Sequence, residues 1–212
     1  MSDCPLCSNT HGFTTIIGID TRGYKICSNC RLIFTETQFL LSNSDEKARY
    51  LTHNNGIQYP GYVNFLNQAI EPTLPYLQQN SNGLDFGCGP TPTISALLKQ
   101  QGFNCDDYDP FFFPQLPNKV YDFIFATECF EHFYNPAKEI KTICNLLKPG
   151  GILTIMTEKW STEEAFRTWY YLNDKTHVSF FHNDTFQFIA KTYGFEIIES
   201  DNLRVIILRK LG

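Results

Sequence analysis

From residue 84 onward, short apolar runs alternate with segments whose apolar residues recur at helical spacing. Residues 121–127 (Tyr-Asp-Phe-Ile-Phe-Ala-Thr) are almost continuously apolar, the pattern of a strand covered on both faces in a parallel sheet. Residues 84–86, 103–108 and 152–156 predict further strands. Residues 93–101 read as a helix closed by Gly102. Asn135 predicts a second helix start, with Pro136 at its first position, an inner stripe of Ala137, Ile140, Ile143 and Leu147, and a stop at Pro149-Gly150-Gly151. Residues 184–193 predict another helix, ended by Gly194. Two strands, 196–200 and 204–209, close the chain through Asp201-Asn202. This rhythm predicts an α/β domain with a mostly parallel sheet and a C-terminal antiparallel hairpin.

The front of the chain is patterned differently. Two β-like runs, 13–19 and 24–26, flank the turn-forming Asp20-Thr21-Arg22-Gly23 and predict a hairpin. Residues 37–80 are polar, rich in Asn and Gln, and hold one predicted helix over 62–70 with Val63, Leu66 and Ile70 on one side. The organisation expected is a small module over 1–36, a linker with a docking or lid helix over 37–80, and the main domain over 81–212. No internal repeat or low-complexity segment interrupts it.

Composition narrows the class. Of 212 residues 42% are hydrophobic, including 19 Phe and 11 Tyr, enough to pack a core. No apolar run approaches the roughly 20 residues that span a bilayer. The opening Met1-Ser2-Asp3-Cys4 also lacks the features of a signal peptide. A cytoplasmic protein with no membrane partner is expected. The formal charge of −5 offers phosphate backbones no general attraction, which disfavours nucleic acid as a partner.

Four of the eight cysteines fall in two CxxC units, Cys4–Cys7 and Cys27–Cys30, with 19 residues between Cys7 and Cys27. Each unit lets one tight turn aim two thiolates at one ion, and the intervening hairpin brings the turns together. The spacing fits a zinc template, so Cys4, Cys7, Cys27 and Cys30 are predicted to hold Zn²⁺. A segment this short cannot bury enough apolar surface alone, and metal binding should supply much of its folding free energy. His11 is read as a surface residue. Arg22, Lys25 and Arg31 barely outnumber Asp3 and Asp20, and a thiolate-rich centre adds negative charge, so the module is a poor phosphate binder. Cys88, Cys105, Cys129 and Cys144, scattered singly, read as small buried hydrophobes.

The stretch Leu84-Asp85-Phe86-Gly87-Cys88-Gly89-Pro90-Thr91 lies where the first strand of the main domain passes into a helix, with Asp109 at the end of the next strand. Glycines there let a ligand approach the backbone, at the end of the sheet where such ligands bind. With Asp85, the glycine turn and Asp109 together, the chain resembles class I S-adenosylmethionine-dependent methyltransferases over about residues 80–212. Residues 121–125 leading to Glu128, Glu131 and His132, the Leu147-Lys148-Pro149-Gly150-Gly151 stretch and Gly194-Phe195-Glu196 add to the likeness. The resemblance implies a Rossmann-like methyltransferase sheet and S-adenosylmethionine contacts at Asp85, Gly87, Cys88, Gly89, Asp109 and Pro110. Thr127 and Glu128 would flank the methionine end. Two departures stand out: Thr91 replaces a frequent third glycine, and residues 111–119 are short for the usual helix and strand. Phe111, Phe112 and Phe113 are candidates to stack on the adenine. A nicotinamide-dependent dehydrogenase, the rival on this fold, would show GxGxxG, which Thr91 and Pro92 disturb.

Methyl transfer needs an aligned nucleophile, and a base where the acceptor must lose a proton. Glu131 and His132 follow the central strand, and His132 is the first candidate base. His177 is the second, in an aromatic stretch (Trp169, Tyr170, Tyr171, Phe180, Phe181) that the resemblance places near the acceptor pocket; His182 is read as a helix-start residue. The acceptor expected is a small molecule. Zinc modules joined to this fold in sugar C-methyltransferases and ribosomal RNA methyltransferases set the alternatives, along with a non-catalytic zinc-binding interaction protein in which Thr91 blocks the site.

Overall fold

The computed structural model describes residues 3–52, 55–116, 118–201 and 203–212; Asn202, expected in the last hairpin turn, and Pro117, in the short 111–119 stretch, lie outside them. The N-terminal part opens with β1 (Phe13–Ile17), β2 (Gly23–Cys27) and β3 (Ile33–Thr35). Two helices follow, α1 (Asn43–Tyr50) and α2 (Pro60–Thr73). The main sheet begins with β4 (Asn82–Phe86), α3 (Ile94–Gln100), β5 (Asn104–Tyr108), β6 (Tyr121–Thr127), α4 (Pro136–Leu146) and β7 (Leu147–Met156). It ends with α5 (Glu163–Arg167), β8 (Ser179–Phe180), α6 (Asn183–Tyr193), β9 (Phe195–Ser200) and β10 (Val205–Lys210).

Six strands form the main sheet in the order β5-β4-β6-β7-β10-β9. β4, β5, β6 and β7 pair in parallel, and β10 runs antiparallel between β7 and β9. This is the expected Rossmann-like arrangement with its antiparallel hairpin. β6 shows why its sequence is apolar throughout: Ile124 and Ala126 enter one core and Phe123 and Phe125 the other. α2 and α3 cover the second of these faces through Leu66, Ile70, Ile94 and Leu98. α4 and α6 cover the first through Ile140, Ile143, Phe186 and Ile189. Among the described residues after β5 there is an isolated Asp109–Phe113 bridge and no strand before β6, and β5 lies at the sheet edge.

The second sheet was only half foreseen. Its order is β1-β2-β3-β8, so the predicted hairpin is extended by β3 and then by two residues from far along the chain. Ile33 and Phe34 pair with Phe180 and Ser179. Cys4, Leu6, Cys27, Cys30, Leu32 and Phe34 share one core with Phe130, Ile140 and Phe181. The zinc-type module is therefore packed onto the main domain, which adds apolar burial to whatever a metal contributes.

Several predicted boundaries move. β1 stops at Ile17, because Gly18 and Thr21 already close the turn. α2 begins at Pro60 and runs to Thr73, three residues beyond the apolar stripe at Ile70. Pro149-Gly150-Gly151 does not separate helix from strand: α4 ends before Leu147, and β7 passes through the Pro-Gly-Gly with a register irregularity between Tyr121 and Phe123 of its neighbour. Leu147 thus belongs to the strand and not to the helical stripe.

Candidate active site and four-cysteine centre

The glycine turn after β4 is held against β5 by two backbone bonds. The N–H groups of Gly87 and Cys88 both donate to the carbonyl of Tyr108, at 2.8 and 3.1 Å. Gly87 and Gly89 have φ of +84° and +65°, conformations that cost other residues strain. A Cβ on Gly87 would lie 2.6 Å from that of Cys129, whereas one on Gly89 would meet nothing within 4 Å and would project into open space. Thr91, expected to narrow this turn, is exposed, and the cavity wall runs through Pro90 and Thr93 instead.

Asp109 ties the turn to the loop after β5. Its Oδ2 accepts from Gly89 N–H (3.1 Å), and its Oδ1 accepts from Phe111 and Phe112 N–H (2.8 and 3.1 Å). Oδ1 is thereby saturated, and Oδ2, with one donor, keeps a free lone pair on a residue that lines the cavity. Asp85, 2% exposed, has no hydrogen-bond partner on its buried Oδ1. Burial, and then the charges of Asp107 and Asp109, push its carboxyl well above the ordinary range. Burial likewise raises the Cys88 thiol. Glu128 sits just beyond β6 at φ +50°, a left-handed position unusual for a side-chain-bearing residue, and its Oε1 is buried without a partner. Burial followed by the charge of Glu131 raises its carboxyl strongly.

Glu131 and His132 fall on a single helical turn, Phe130–His132, at the same end of β6. Glu131 is 1% exposed; its Oε1 accepts from the Tyr171 hydroxyl at 2.5 Å and its Oε2 has no partner. His177 lies across from them, its ring centroid 4.9 Å from that of His132. Each imidazole turns Nδ1 to a backbone carbonyl, His132 to Thr176 (3.1 Å) and His177 to Tyr171 (2.8 Å). A carbonyl only accepts, so Nδ1 bears a proton in both rings, and Nε2 is the ring atom left for another partner. Burial, then the neighbouring His132, lowers the His177 pKa to about 4, so it is neutral at pH 7.

All these groups line one cavity of about 790 Å³. It brings together Asp85, Gly87, Cys88, Gly89, Asp109, Pro110, Thr127, Glu128, Glu131, His132 and His177, the full set singled out in the sequence. Of the three phenylalanines only Phe111 is on its wall among the described residues. The aromatic stretch around Trp169 lies behind the wall, with His177 as its contribution; Tyr170 is 61% exposed and bonds Glu158. His182 caps α6, accepting from Asp184 N–H, as expected.

The sequence predicts a docking or lid helix over 62–70 but neither α1 nor the residues that roof the cavity. Asn43, Glu46 and Tyr50 of α1 and Tyr62 and Phe65 of α2 also line the cavity. Tyr50 donates to Glu46 Oε1 (2.6 Å) and stands edge-on to His132, with centroids 5.1 Å apart. α1 is polar, with Glu46 its one buried residue, and its N-cap Ser42, which accepts from Asp45 N–H, is the local signal for it.

The four N-terminal cysteines converge. Their Sγ atoms lie within 4.8 Å of one another, with Cys4–Cys30 and Cys7–Cys27 each at 3.5 Å. A tetrahedron of Zn–S bonds has edges of about 3.8 Å, so the donor set suits Zn²⁺. The two turns are built alike: Ser8 N–H donates to Cys4 carbonyl and Arg31 N–H to Cys27 carbonyl, both at 2.9 Å, with Ser8 and Arg31 at φ +56° and +61°. Thiol hydrogen bonds from Cys30 and Cys4 lower the pKa of Cys27. His11 is exposed.

Comparison with known proteins agrees with this architecture. Residues 57–200 match a family model described as a methyltransferase domain. No curated protein matches the chain in sequence. Among solved structures, it is similar to the Burkholderia thailandensis 1,6-didemethyltoxoflavin-N1-methyltransferase, solved with 1,6-didemethyltoxoflavin and S-adenosylhomocysteine (16% identity, TM-score 0.57, 88% of this chain and 98% of that one). It is also similar to a chain in a Haloferax volcanii complex of the Trm112 methyltransferase activator with a methyltransferase (10%, 0.56, 79% and 98%). A methyltransferase of Bacillus halodurans C-125 is a third (14%, 0.52, 69% and 99%). At these identities the structures establish the shared fold. The chain belongs to the methyltransferase-domain family and is an S-adenosylmethionine-dependent methyltransferase.

Proposed function

We propose that the enzyme methylates a small, unphosphorylated molecule bound under the α1–α2 roof, beside a cofactor held at the β4 turn. The observation behind this reading is the cavity itself. At about 790 Å³ it lies toward the upper end of the roughly 300–1,000 Å³ usual for small-molecule sites, and one continuous space can take cofactor and acceptor together. Its ionisable wall is acidic: Glu46, Asp85, Asp109, Glu128, Glu131 and Glu139 face it, against Lys138. With Lys138 alone against six carboxyl groups, this wall offers phosphate-bearing acceptors, RNA included, no cluster of positive charge.

In this reading Gly87 and Gly89 let the cofactor lie close to the backbone, and the open lone pair of Asp109 Oδ2 takes a ribose hydroxyl. The unpartnered oxygens of Asp85 and Glu128 meet the donors of its methionine end. When bound, the cofactor supplies an electrophilic methyl group on a sulfonium. The protein's part is to orient the acceptor, exclude water and relieve the acceptor of a proton where it bears one. Glu131, His132 and His177 form the face that does the last of these. The four-cysteine centre, with Zn²⁺, acts as a frame: its sheet continues into β8 and the loop bearing His177. α1 and α2 act as a lid.

The test is acceptor screening with radiolabelled cofactor. Turnover of a small molecule, insensitive to salt, supports the reading. Methylation of RNA, with affinity falling steeply as salt rises, would replace it.

A further inference from the structure

We propose that Glu131, His132 and His177 form a divalent-cation site in the acceptor half of the cavity, separate from the four-cysteine centre. The proposal rests on the reading of this cavity as the acceptor site. Three independent observations support it.

The first is convergence: one oxygen of Glu131 and one nitrogen from each histidine lie within 4.8 Å of one another, although His177 follows His132 by 45 residues. The second is orientation. Both Nδ1–H groups are committed to backbone carbonyls, so Nε2 of each ring is the atom left for another partner. Metal-ligating histidines are held in this way, with the far N–H on a carbonyl fixing tautomer and ring. The third is an unmet need. Glu131 is 1% exposed, Tyr171 satisfies Oε1, and buried Oε2 has no donor. A buried acceptor without a partner is costly, and no hydrogen bond from either neighbouring imidazole reaches it. A cation satisfies the carboxylate and both imidazoles at once.

Two nitrogens and one carboxylate oxygen on one side of an ion leave its remaining positions open toward the cavity. These suit an acceptor with an ionisable hydroxyl, alone or beside a second oxygen. The cation lowers the pKa of that hydroxyl, whose proton leaves to solvent. The oxygen then forms a bond to the methyl carbon as the carbon–sulfur bond breaks, its electron pair going to sulfur. Methyl ether, S-adenosylhomocysteine and one proton are the products. The histidines are ligands in this scheme and need not act as bases.

Mn²⁺ is the probe, because the thiolate centre prefers softer ions. Zinc-loaded full-length protein is titrated with Mn²⁺ and followed by electron paramagnetic resonance. The expected result is one Mn²⁺ per chain showing nitrogen couplings from two imidazoles, with affinity at least about tenfold weaker in His132→Gln and in Glu131→Gln. The wild-type couplings need no variant, so a misfolded variant does not spoil the test. Absence of saturable binding, or binding without imidazole couplings, overturns the proposal. Calorimetry with S-adenosylhomocysteine on the same sample separates the outcomes. Cofactor binding without Mn²⁺ binding overturns the cation site alone; Mn²⁺ binding without cofactor binding overturns the cofactor reading alone.

Discussion

The guanidinium of Arg22, in the turn between β1 and β2, donates to the carbonyl of His177 at 3.1 Å. It also reaches the carbonyls of Leu172, Asp174 and Lys175, and pairs with Asp20 while 5% exposed. One buried side chain of the N-terminal module thus holds the loop that presents His177 to the cavity.

Replacing it tests whether the module shapes the active site. Lysine cannot reproduce a planar fork serving four carbonyls. Arg22→Lys is expected to destabilise the protein by about 2–4 kcal/mol. It should lower turnover more than cofactor affinity, since the cofactor turn is elsewhere. Thermal denaturation, calorimetry and initial rates check this; an unchanged melting temperature contradicts it.

Removing the metal should be felt beyond the module. Cys4, Cys27 and Cys30 pack in the core that contains Phe130 and Ile140. One zinc per chain is expected by elemental analysis, and none in Cys30→Ser. Stripping it should lower Tm by at least about 8 °C, equivalent to roughly 3 kcal/mol at this chain length. A chain that holds no zinc, or melts identically without it, contradicts the frame role.

The two glycines of the β4 turn should fail differently. Gly87→Ala places its Cβ against Cys129 at a positive φ and should cost about 2–4 kcal/mol. Gly89→Ala meets no protein atom, so its cost should stay near the roughly 1–2 kcal/mol of a left-handed alanine. Its main effect should be on S-adenosylhomocysteine, with affinity at least about tenfold lower. Chemical denaturation and calorimetry on the two variants check the contrast.

Asp85 gives a pH-dependent prediction. Its folded pKa lies above the unfolded 3.8, so it favours folding less as pH rises past 3.8 toward the folded value. Asp85→Asn should therefore melt higher than wild type at pH 7 without cofactor, and the gain should fade at and below pH 3.8. It should also bind S-adenosylhomocysteine more weakly. Equal melting at both pH values contradicts the assigned cause.

How much was legible follows from range along the chain. β6 was plain because both its faces are buried, which leaves an apolar run, and the CxxC turns and the β4 turn are local patterns of cysteine and glycine. β3 and β8 were not, since three and two residues carry no period, and their pairing joins Ile33 to Phe180. α1 escaped because it is polar, with Glu46 its one fully buried residue. The individual histidines were visible, but the shared commitment of both Nδ1 atoms to carbonyls belongs to the folded loop alone. The strand beginning at Leu147 was hidden by Pro149-Gly150-Gly151, which reads as a stop until β6 is seen beside it.

The central claim is that the bend at Gly87–Gly89, tied to Asp109, is where the cofactor binds. Isothermal titration of the full chain with S-adenosylhomocysteine tests it most directly. One molecule per chain should bind, and Asp109→Asn, which puts a donor amide where Oδ2 accepts from Gly89 N–H and would accept from the ribose, should lose about tenfold or more in affinity. No heat of binding to the wild type, or an affinity indifferent to both Asp109→Asn and Gly89→Ala, would contradict the account.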